Sequence, residues 1–123
     1  MNELIKAAKD LLSDLKGDYD ALGESFAAET DLDKMNALDN QISQIGKDIV
    51  GLENKVLALE VAAKKSSFDP NELGSLASRM SEHRAETARV IKGHTESVEQ
   101  AKYLASRVST GAKLIGEVLR TIA

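Results

Sequence analysis

Apolar residues recur at alternating spacings of three and four along the middle of the chain. The series runs without interruption through Met35, Leu38, Ile42, Ile45, Ile49, Leu52, Val56, Leu59 and Ala63. This spacing is the heptad pattern of a helix that packs against another helix along a narrow seam. We therefore predict a helix over 31–65. Val50 and Leu57 add apolar surface beside the seam, which predicts that this helix touches more than one neighbour.

A separate apolar stripe precedes this helix and predicts a first helix over 2–28. Its members are Leu4, Ala8, Leu11, Leu15, Tyr19, Leu22 and Phe26. Their heptad phase does not continue onto Met35, so a break is expected between Ala28 and Asp31. The stretch Thr30-Asp31-Leu32-Asp33 carries a capping residue followed by acids in the first turn, where negative charge suits the positive end of the helix dipole.

The segment 67–73 carries several signals for the start of a third helix. Asp69 can cap, Pro70 fits the first helical position, and Glu72 completes a capping box. Phe68 and Leu73 stand at the two positions of a hydrophobic staple. From Leu73 onward two interleaved heptad series persist to the end of the chain. They predict one helix over 70–122, about 80 Å long, which could bend at a glycine.

These three helices predict an all-α fold in a single helical domain over 1–123. The short connection before Pro70 turns the third helix back antiparallel to the second. The expected architecture is an antiparallel coiled-coil hairpin or an elongated three-helix bundle. The second helix, about 50 Å long, covers only part of the third. The rest of the third helix, from Ala101 to Ile122, must be covered by the first helix, by another copy or by a different protein. We expect an oligomer or a complex, with this contact face: Leu104, Val108, Ile115, Val118 and Ile122.

Polar residues interrupt the seam of the third helix at His83, Thr87, His94 and Ser97. Polar residues at seam positions lower stability but can fix register and partner choice. The alternatives are the edge of a loose seam, a water-filled gap, or a pH-sensitive joint, because histidine titrates near neutrality. The two histidines are about 16 Å apart along a helix, which is too far to share a metal ion.

The net charge of −4 is unevenly distributed. All five arginines lie in 67–123, whereas 1–66 is acidic, so we interpret the two halves as facing helices with complementary charges. This balance argues against binding nucleic acid. An alternative function follows from the acidic segment 10–33, which could block a basic groove on a nucleic-acid-binding protein. Its acids would be Asp10, Asp14, Asp18 and Asp20.

Composition limits the chemistry of the chain. It has no cysteine and only four aromatic residues among Phe, Tyr and Trp, so a pocket lined with rings is not expected. No phosphate-binding loop, nucleophile elbow or metal-ligating spacing is present, and we predict no enzyme activity, cofactor or metal. A signal peptide and a bilayer-spanning run are both missing. The expected location is the cytoplasm, although secretion without a signal would leave the same pattern.

One part of the chain resembles proteins of flagellar and type III secretion systems. Asp69, Pro70, Leu73, Leu76 and Met80, followed by Ser81-Glu82, are similar to the turn and helix of the needle subunits. The short acidic helical format also resembles the small export chaperones of these systems. The resemblance implies a helix that packs into a polymer, or a C-terminal helix that holds cargo. This chain departs from needle subunits by carrying about 65 residues ahead of the turn.

Together these features predict a non-catalytic protein that acts through helix packing, as an assembly scaffold or an export-type chaperone. Its expected partner is another protein, a second copy, or both. The alternative is the acidic inhibitor described above.

Overall fold

The computed structural model describes residues 2–63, 70–94 and 96–122. It contains four helices: α1 (Asn2–Ala28), α2 (Leu32–Ala63), α3 (Pro70–Ile91) and α4 (Ser97–Ile122). No strand occurs within these three stretches, so the all-α fold class is confirmed.

The break between α1 and α2 lies where the phase shift predicts it. Asp31 caps α2, because its Oδ1 accepts hydrogen bonds from the amides of Asp33 (2.9 Å) and Lys34 (3.2 Å). Glu29 Oε1 accepts from the amides of Thr30 and Asp31, both at 3.1 Å. The polar side chains therefore satisfy the backbone amides at the turn. α3 begins at the predicted Pro70, while Asp69 and Phe68 lie outside the described residues.

The prediction of one helix over 70–122 is wrong. α3 ends at Ile91, and α4 begins at Ser97 and runs back along α3, since Arg107 binds Thr87 and Arg79 binds Glu117. Two short-range bonds close the end of α3: the Gly93 amide donates to the Val90 carbonyl at 3.0 Å, and the His94 amide donates to the Ile91 carbonyl at 3.3 Å. Gly93 weakens helix continuation here, and folding α4 back covers apolar surface that a straight helix would expose.

The helices pack so that α1 and α4 each contact the other three, whereas α2 and α3 have no contact with each other in the described part of the chain. The most extensive interface joins α2 to α4. The prediction that the second helix covers the start of 70–122 and leaves its C-terminal end uncovered is therefore wrong, because α2 packs on α4 and not on α3. The reason is that α4 runs back along α3, which brings α4 alongside α2 and sets α3 against α1.

Ion pairs between helices show the chain directions. Lys9 Nζ lies 2.9 Å from Glu60 Oε1 and Lys16 Nζ lies 3.2 Å from Glu53 Oε2, so α1 and α2 are antiparallel. Arg84 Nε reaches Asp14 Oδ2 at 2.7 Å, joining α3 to α1. Arg84 thus joins the two halves of the chain, whereas Lys9–Glu60 and Lys16–Glu53 lie within the first half and Arg79–Glu117 lies within the second. The complementary-charge interpretation therefore describes Arg84 but not these other pairs.

The core is almost entirely aliphatic. Leu11, Leu15, Leu38, Ile45 and Leu52 each have a side chain that is at most 1% exposed. Residues of the predicted stripes supply most of this core, and all four helices contribute to it. Burial of this kind is the main force that holds such a bundle together.

Candidate functional site

A buried polar cluster joins α3 to α4. The Arg107 guanidinium of α4 donates from Nε to Thr87 Oγ1 at 2.8 Å and from Nη2 to the His83 carbonyl at 3.2 Å. Arg107 Nη2 also lies 2.7 Å from His83 Nδ1. Thr87 Oγ1 in turn donates to the His83 carbonyl at 2.7 Å. One arginine therefore binds two core positions of the neighbouring helix at once.

The contact with Arg107 fixes the state of the His83 ring. Because a guanidinium can only donate, His83 Nδ1 must accept, which places the ring proton on Nε2. His83 is only 5% exposed, and its burial, followed by the positive charge of Arg107, lowers the pKa of its imidazole below the ordinary value of 6.5. The ring is therefore neutral at pH 7. Its Nε2 finds no hydrogen-bond partner among the described residues.

The four polar seam residues do not form one continuous layer. His83 and Thr87 are buried in the core, whereas His94 and Ser97 are half-buried at the reversal between α3 and α4. The His94 ring packs against the Tyr103 ring with 5.4 Å between centroids. The Arg107 guanidinium lies 5.7 Å from that same ring centroid and so connects the two pairs.

Sequence reasoning missed Arg107 and Tyr103. The Arg107 side chain is only 14% exposed, with Glu86 Oε2 4.0 Å from its Nη2. The position of Arg107 in the sequence could have indicated this role. Arg107 directly precedes the seam residue Val108, so it stands beside the seam to which His83 and Thr87 also belong. A buried charge held by several hydrogen bonds can specify the register of two helices. A register-setting role for Arg107 would be consistent with the role predicted for His83 and Thr87.

The predicted contact face of α4 is not available in this structure. Leu104, Val108, Ile115 and Val118 each have 0% exposure, because they pack inside the chain's own core. Ile122 belongs to α4, but its side chain lies outside the described residues. The prediction of an exposed face is therefore wrong for the four described residues. Heptad spacing identifies the buried side of a helix, and here the chain itself supplies the covering helices.

An exposed apolar surface is found instead on α2. Among the described residues, the exposed large hydrophobic side chains are Leu32, Val50, Leu57 and Val61, at 69%, 57%, 54% and 54% exposure. All four belong to α2. Val50, Leu57 and Val61 are spaced by seven and four residues, so they share one face of the helix. We call these three residues the α2 stripe.

A groove between α1 and α2 adjoins the stripe at Val50. It has a volume of about 580 Å³ and includes Tyr19, Gly46 and Val50 in its walls. Tyr19 lies directly on the α2 backbone, and a Cβ built on Gly46 would stand 2.8 Å from the Tyr19 hydroxyl oxygen. Glycine is therefore needed at position 46 for the ring to approach this closely. The ring extends the apolar surface of the stripe toward α1.

Some charges beside the stripe are paired within the chain. On the α1 side, Glu53 and Glu60 bind the two lysines of α1 described above. On the α4 side, Lys55 Nζ lies 3.4 Å from the Ala112 carbonyl oxygen. Lys47 and Asp20, which also line the groove, are exposed and form no ion pair among the described residues. A partner would therefore meet apolar side chains along the stripe and unpaired charge at its Val50 end.

The acidic strip predicted on α1 is partly neutralised. Arg84 Nη1 lies 3.6 Å from Asp10 Oδ2, and Arg84 Nε binds Asp14. Asp18 is half-buried, and burial followed by the charge of Asp14 raises the pKa of its carboxyl above the ordinary value of 3.8. Of the four acids of the strip, only Asp20 is exposed with neither an Arg84 contact nor a raised carboxyl pKa described above.

No three His, Cys, Asp or Glu side chains within 2–63, 70–94 and 96–122 come together as a metal site would require. In the same ranges, no helix combines the length and the apolar character needed to cross a membrane.

Comparisons of the chain with known protein families, with curated proteins and with solved structures find no match. The resemblance to secretion-system proteins therefore stays a prediction from sequence.

Proposed function

We propose that this chain is a non-catalytic protein-binding module that docks an amphipathic helix of a partner protein along the α2 stripe. The observation that carries the proposal is the concentration of exposed large hydrophobic side chains on one helix. Surface hydrophobic residues scattered singly are ordinary, whereas an aligned set marks an interaction surface more often. Amphipathic helices bind such surfaces through apolar residues at spacings of three and four.

The chemistry expected of the partner follows from the surface. Its contact face should be apolar and helical, because the stripe is a straight row of aliphatic side chains beside the Tyr19 groove. The side chains of the stripe are apolar, and Glu53 and Glu60 beside them are already paired with lysines of α1. Binding should therefore depend weakly on salt.

An assembly scaffold and an export-type chaperone both fit this proposal, and they differ in what is bound. The chaperone resemblance implies that the C-terminal helix holds cargo, but α4 packs into the core of the bundle. α2 is the helix whose exposed surface supports binding of either kind. Salt-dependent binding through the acidic strip is the competing hypothesis, and its support is weaker because Arg84 occupies Asp10 and Asp14.

The proposal is tested by comparing three baits. The wild-type chain, the double variant Leu57→Asp/Val61→Asp and the control Asn36→Asp/Asn40→Asp are used to capture proteins from native lysate, which mass spectrometry then identifies. Both variants add two negative charges at exposed positions of α2, but only the first changes the stripe. We expect one captured protein to be lost with the stripe variant and kept with the control.

The captured protein is then purified and its binding is measured by calorimetry at low salt and at about 0.5 M salt. Affinity that survives high salt supports an apolar contact. Equal capture by all three baits would overturn the proposal. Affinity that collapses with salt would favour the acidic strip instead. Circular dichroism of each variant checks that the helices remain folded.

A further inference from the structure

The core faces of α3 and α4 follow one common heptad frame, although the chain reverses between them. In α3 the first series includes Met80 and Thr87, and the same series in α4 includes Ala101, Val108 and Ile115; all are buried. The second series behaves likewise, with Leu76 and His83 in α3 and Leu104 and Val118 in α4. In a continuous helix all these residues would lie on one side.

The start of the connection, Lys92 to His94, keeps the short-range bonds of a helical turn. Residues 92–96 contain no proline, and Gly93 does not have a positive φ. The amides of Gly93 and His94 already bond three residues back, as in a tightened helical turn. One side-chain bond holds the reversed form: Gln100 Nε2 donates to the His94 carbonyl at 2.6 Å. A straight helix would satisfy that carbonyl with the amide of Val98.

We propose that Lys92–His94 is a hinge at which α3 and α4 join into a single helix over 70–122, and that two opened copies of this chain exchange their α4 helices. Straightening removes α4 from its own bundle and exposes the apolar face of Leu104, Val108, Ile115 and Val118. The surface complementary to this face is the site that the partner copy's α4 has left. A second copy is therefore the occupant that the opened chain fits.

The contacts of α4 support this occupant, because each of them can form between two chains. Arg107 would bind His83 and Thr87 across the pair, and Arg79 would bind Glu117. Along the sequence, the midpoint between Thr87 and Arg107 is residue 97, and the midpoint between Arg79 and Glu117 is residue 98. Both midpoints lie in the first turn of α4. Two straight helices that cross antiparallel at this point would preserve both pairs. Exchange of identical elements is a common route to a dimer.

This inference is independent of the proposed function, since the α2 stripe lies outside the exchanged contacts. The bundle could bind another protein without exchanging α4, and the reverse also holds. The two experiments can therefore fail separately.

The hinge is tested with Gly93→Ala, which favours a continuous helix. Alanine is tolerated in the reversed form because φ is not positive, although its Cβ would lie 3.3 Å from the Val90 carbonyl oxygen. Gly74→Ala is the matched control, since Gly74 is exposed inside α3 and nothing lies within 4 Å of an added Cβ. With two hinges in each dimer, we expect Gly93→Ala to lower the dimer dissociation constant by up to about 25-fold.

The opposite change is Ser97→Pro. Proline is favoured at the first position of α4 but would break a helix that runs through position 97. We expect the proline variant to remain a monomer, with dimerisation weakened more than about 100-fold. Each protein is refolded from urea at low and high protein concentration, and its mass is measured by light scattering. Refolding gives the helices the opportunity to exchange.

Cross-linking distinguishes exchange from association of closed bundles. The chain has no cysteine, so the double change Arg79→Cys/Glu117→Cys places one thiol on α3 and its partner on α4. In the Gly93→Ala background, a short bis-maleimide should join two chains in the isolated dimer and one chain to itself in the monomer. Cross-links within single chains in the dimer would overturn the proposal. Monomers for wild type and Gly93→Ala at every concentration would also overturn it.

Discussion

The two helices that do not touch each other, α2 and α3, are built in opposite ways. α2 turns Leu38, Ile45, Leu52 and Leu59 toward the core and carries exposed aliphatic side chains on its outer side. α3 brings His83 and Thr87 into the core, and its outer side includes the arginine that pairs with acids of α1. Both helices have an amphipathic repeat, but the core side is aliphatic in α2 and partly polar in α3.

The difference between the two core faces separates residues that stabilise the bundle from residues that fix the register of its helices. Aliphatic burial along α2 stabilises the bundle without imposing strict geometry. The α3–α4 contact instead requires Arg107 to reach two hydrogen-bonding positions on another helix, so a shift in register would leave buried polar groups unpaired. We infer that α2 contributes mainly to the free energy of unfolding and that α3 fixes how α4 is placed.

The largest effect is expected on the α2 side of this comparison. Leu52→Ala removes a side chain that is 1% exposed and should lower the free energy of unfolding by about 2–5 kcal/mol, because it leaves a cavity in the core. Urea unfolding followed by circular dichroism measures the change. Val50→Ala is the control on the same helix, and at 57% exposure it should lose much less. Equal losses would contradict the assignment of Leu52 to the core.

An intermediate effect is expected at the polar cluster. Arg107→Ala should lower the free energy of unfolding by about 1–3 kcal/mol, because it removes charged hydrogen bonds to Thr87 and His83. Arg120→Ala, at an exposed position of the same helix, should change it little. The double change His83→Leu/Arg107→Leu should lose less than the sum of the two single changes, because both polar partners are removed together. Strict additivity in urea unfolding would show that the two residues do not act as a unit.

The smallest effect is expected from pH. The pKa of His83 is lowered in the folded chain, so the unfolded chain binds a proton first as pH falls below about 6.5. The stability from the neutral ring is full above that value and is lost as pH falls toward the folded pKa. The slope for one proton cannot exceed about 1.4 kcal/mol per pH unit.

This pH dependence is measured by urea unfolding between about pH 7.5 and 5.5, where His83 titrates in the unfolded chain. The groups around its ring include Arg107 of α4, Glu86 of α3, and the apolar Leu11 and Leu15 of α1. His83→Leu should flatten the slope. His94 is present in both proteins, so the difference belongs to His83. The same slope in both would contradict the assignment.

Sequence alone predicted the helices where local signals agree with burial. The break after Ala28 and the start at Pro70 depend on nearby residues, and the structure places them as expected. The cap of α2 is Asp31, one residue after Thr30, the cap that the predicted helix start at 31 implies. The apolar stripes also became the core, because a 3–4 spacing identifies one side of a helix whatever covers it.

The change of chain direction between α3 and α4 could not be predicted from the periodicity of apolar residues. The heptad frame passes through it unchanged, so the pattern is the same for one helix and for two. Gly93 marks a place where the helix could bend, but tertiary packing decides whether the chain reverses there. The buried α4 face and the role of Arg107 both follow from that reversal, and both were therefore missed.

The positions of the two tyrosines give this molecule a pair of separate optical reporters. The chain has no tryptophan, so its near-ultraviolet signal comes mainly from Tyr19 and Tyr103. Tyr19 rests on the α2 backbone at Gly46, whereas Tyr103 packs with His94 beside the polar cluster. In the Tyr19→Phe variant, the only remaining tyrosine emission comes from Tyr103 beside the reversal. In the Tyr103→Phe variant, it comes from Tyr19 in the groove. Loosening of the α1–α2 groove and loosening of the polar cluster could then be followed separately in solution without attaching a dye.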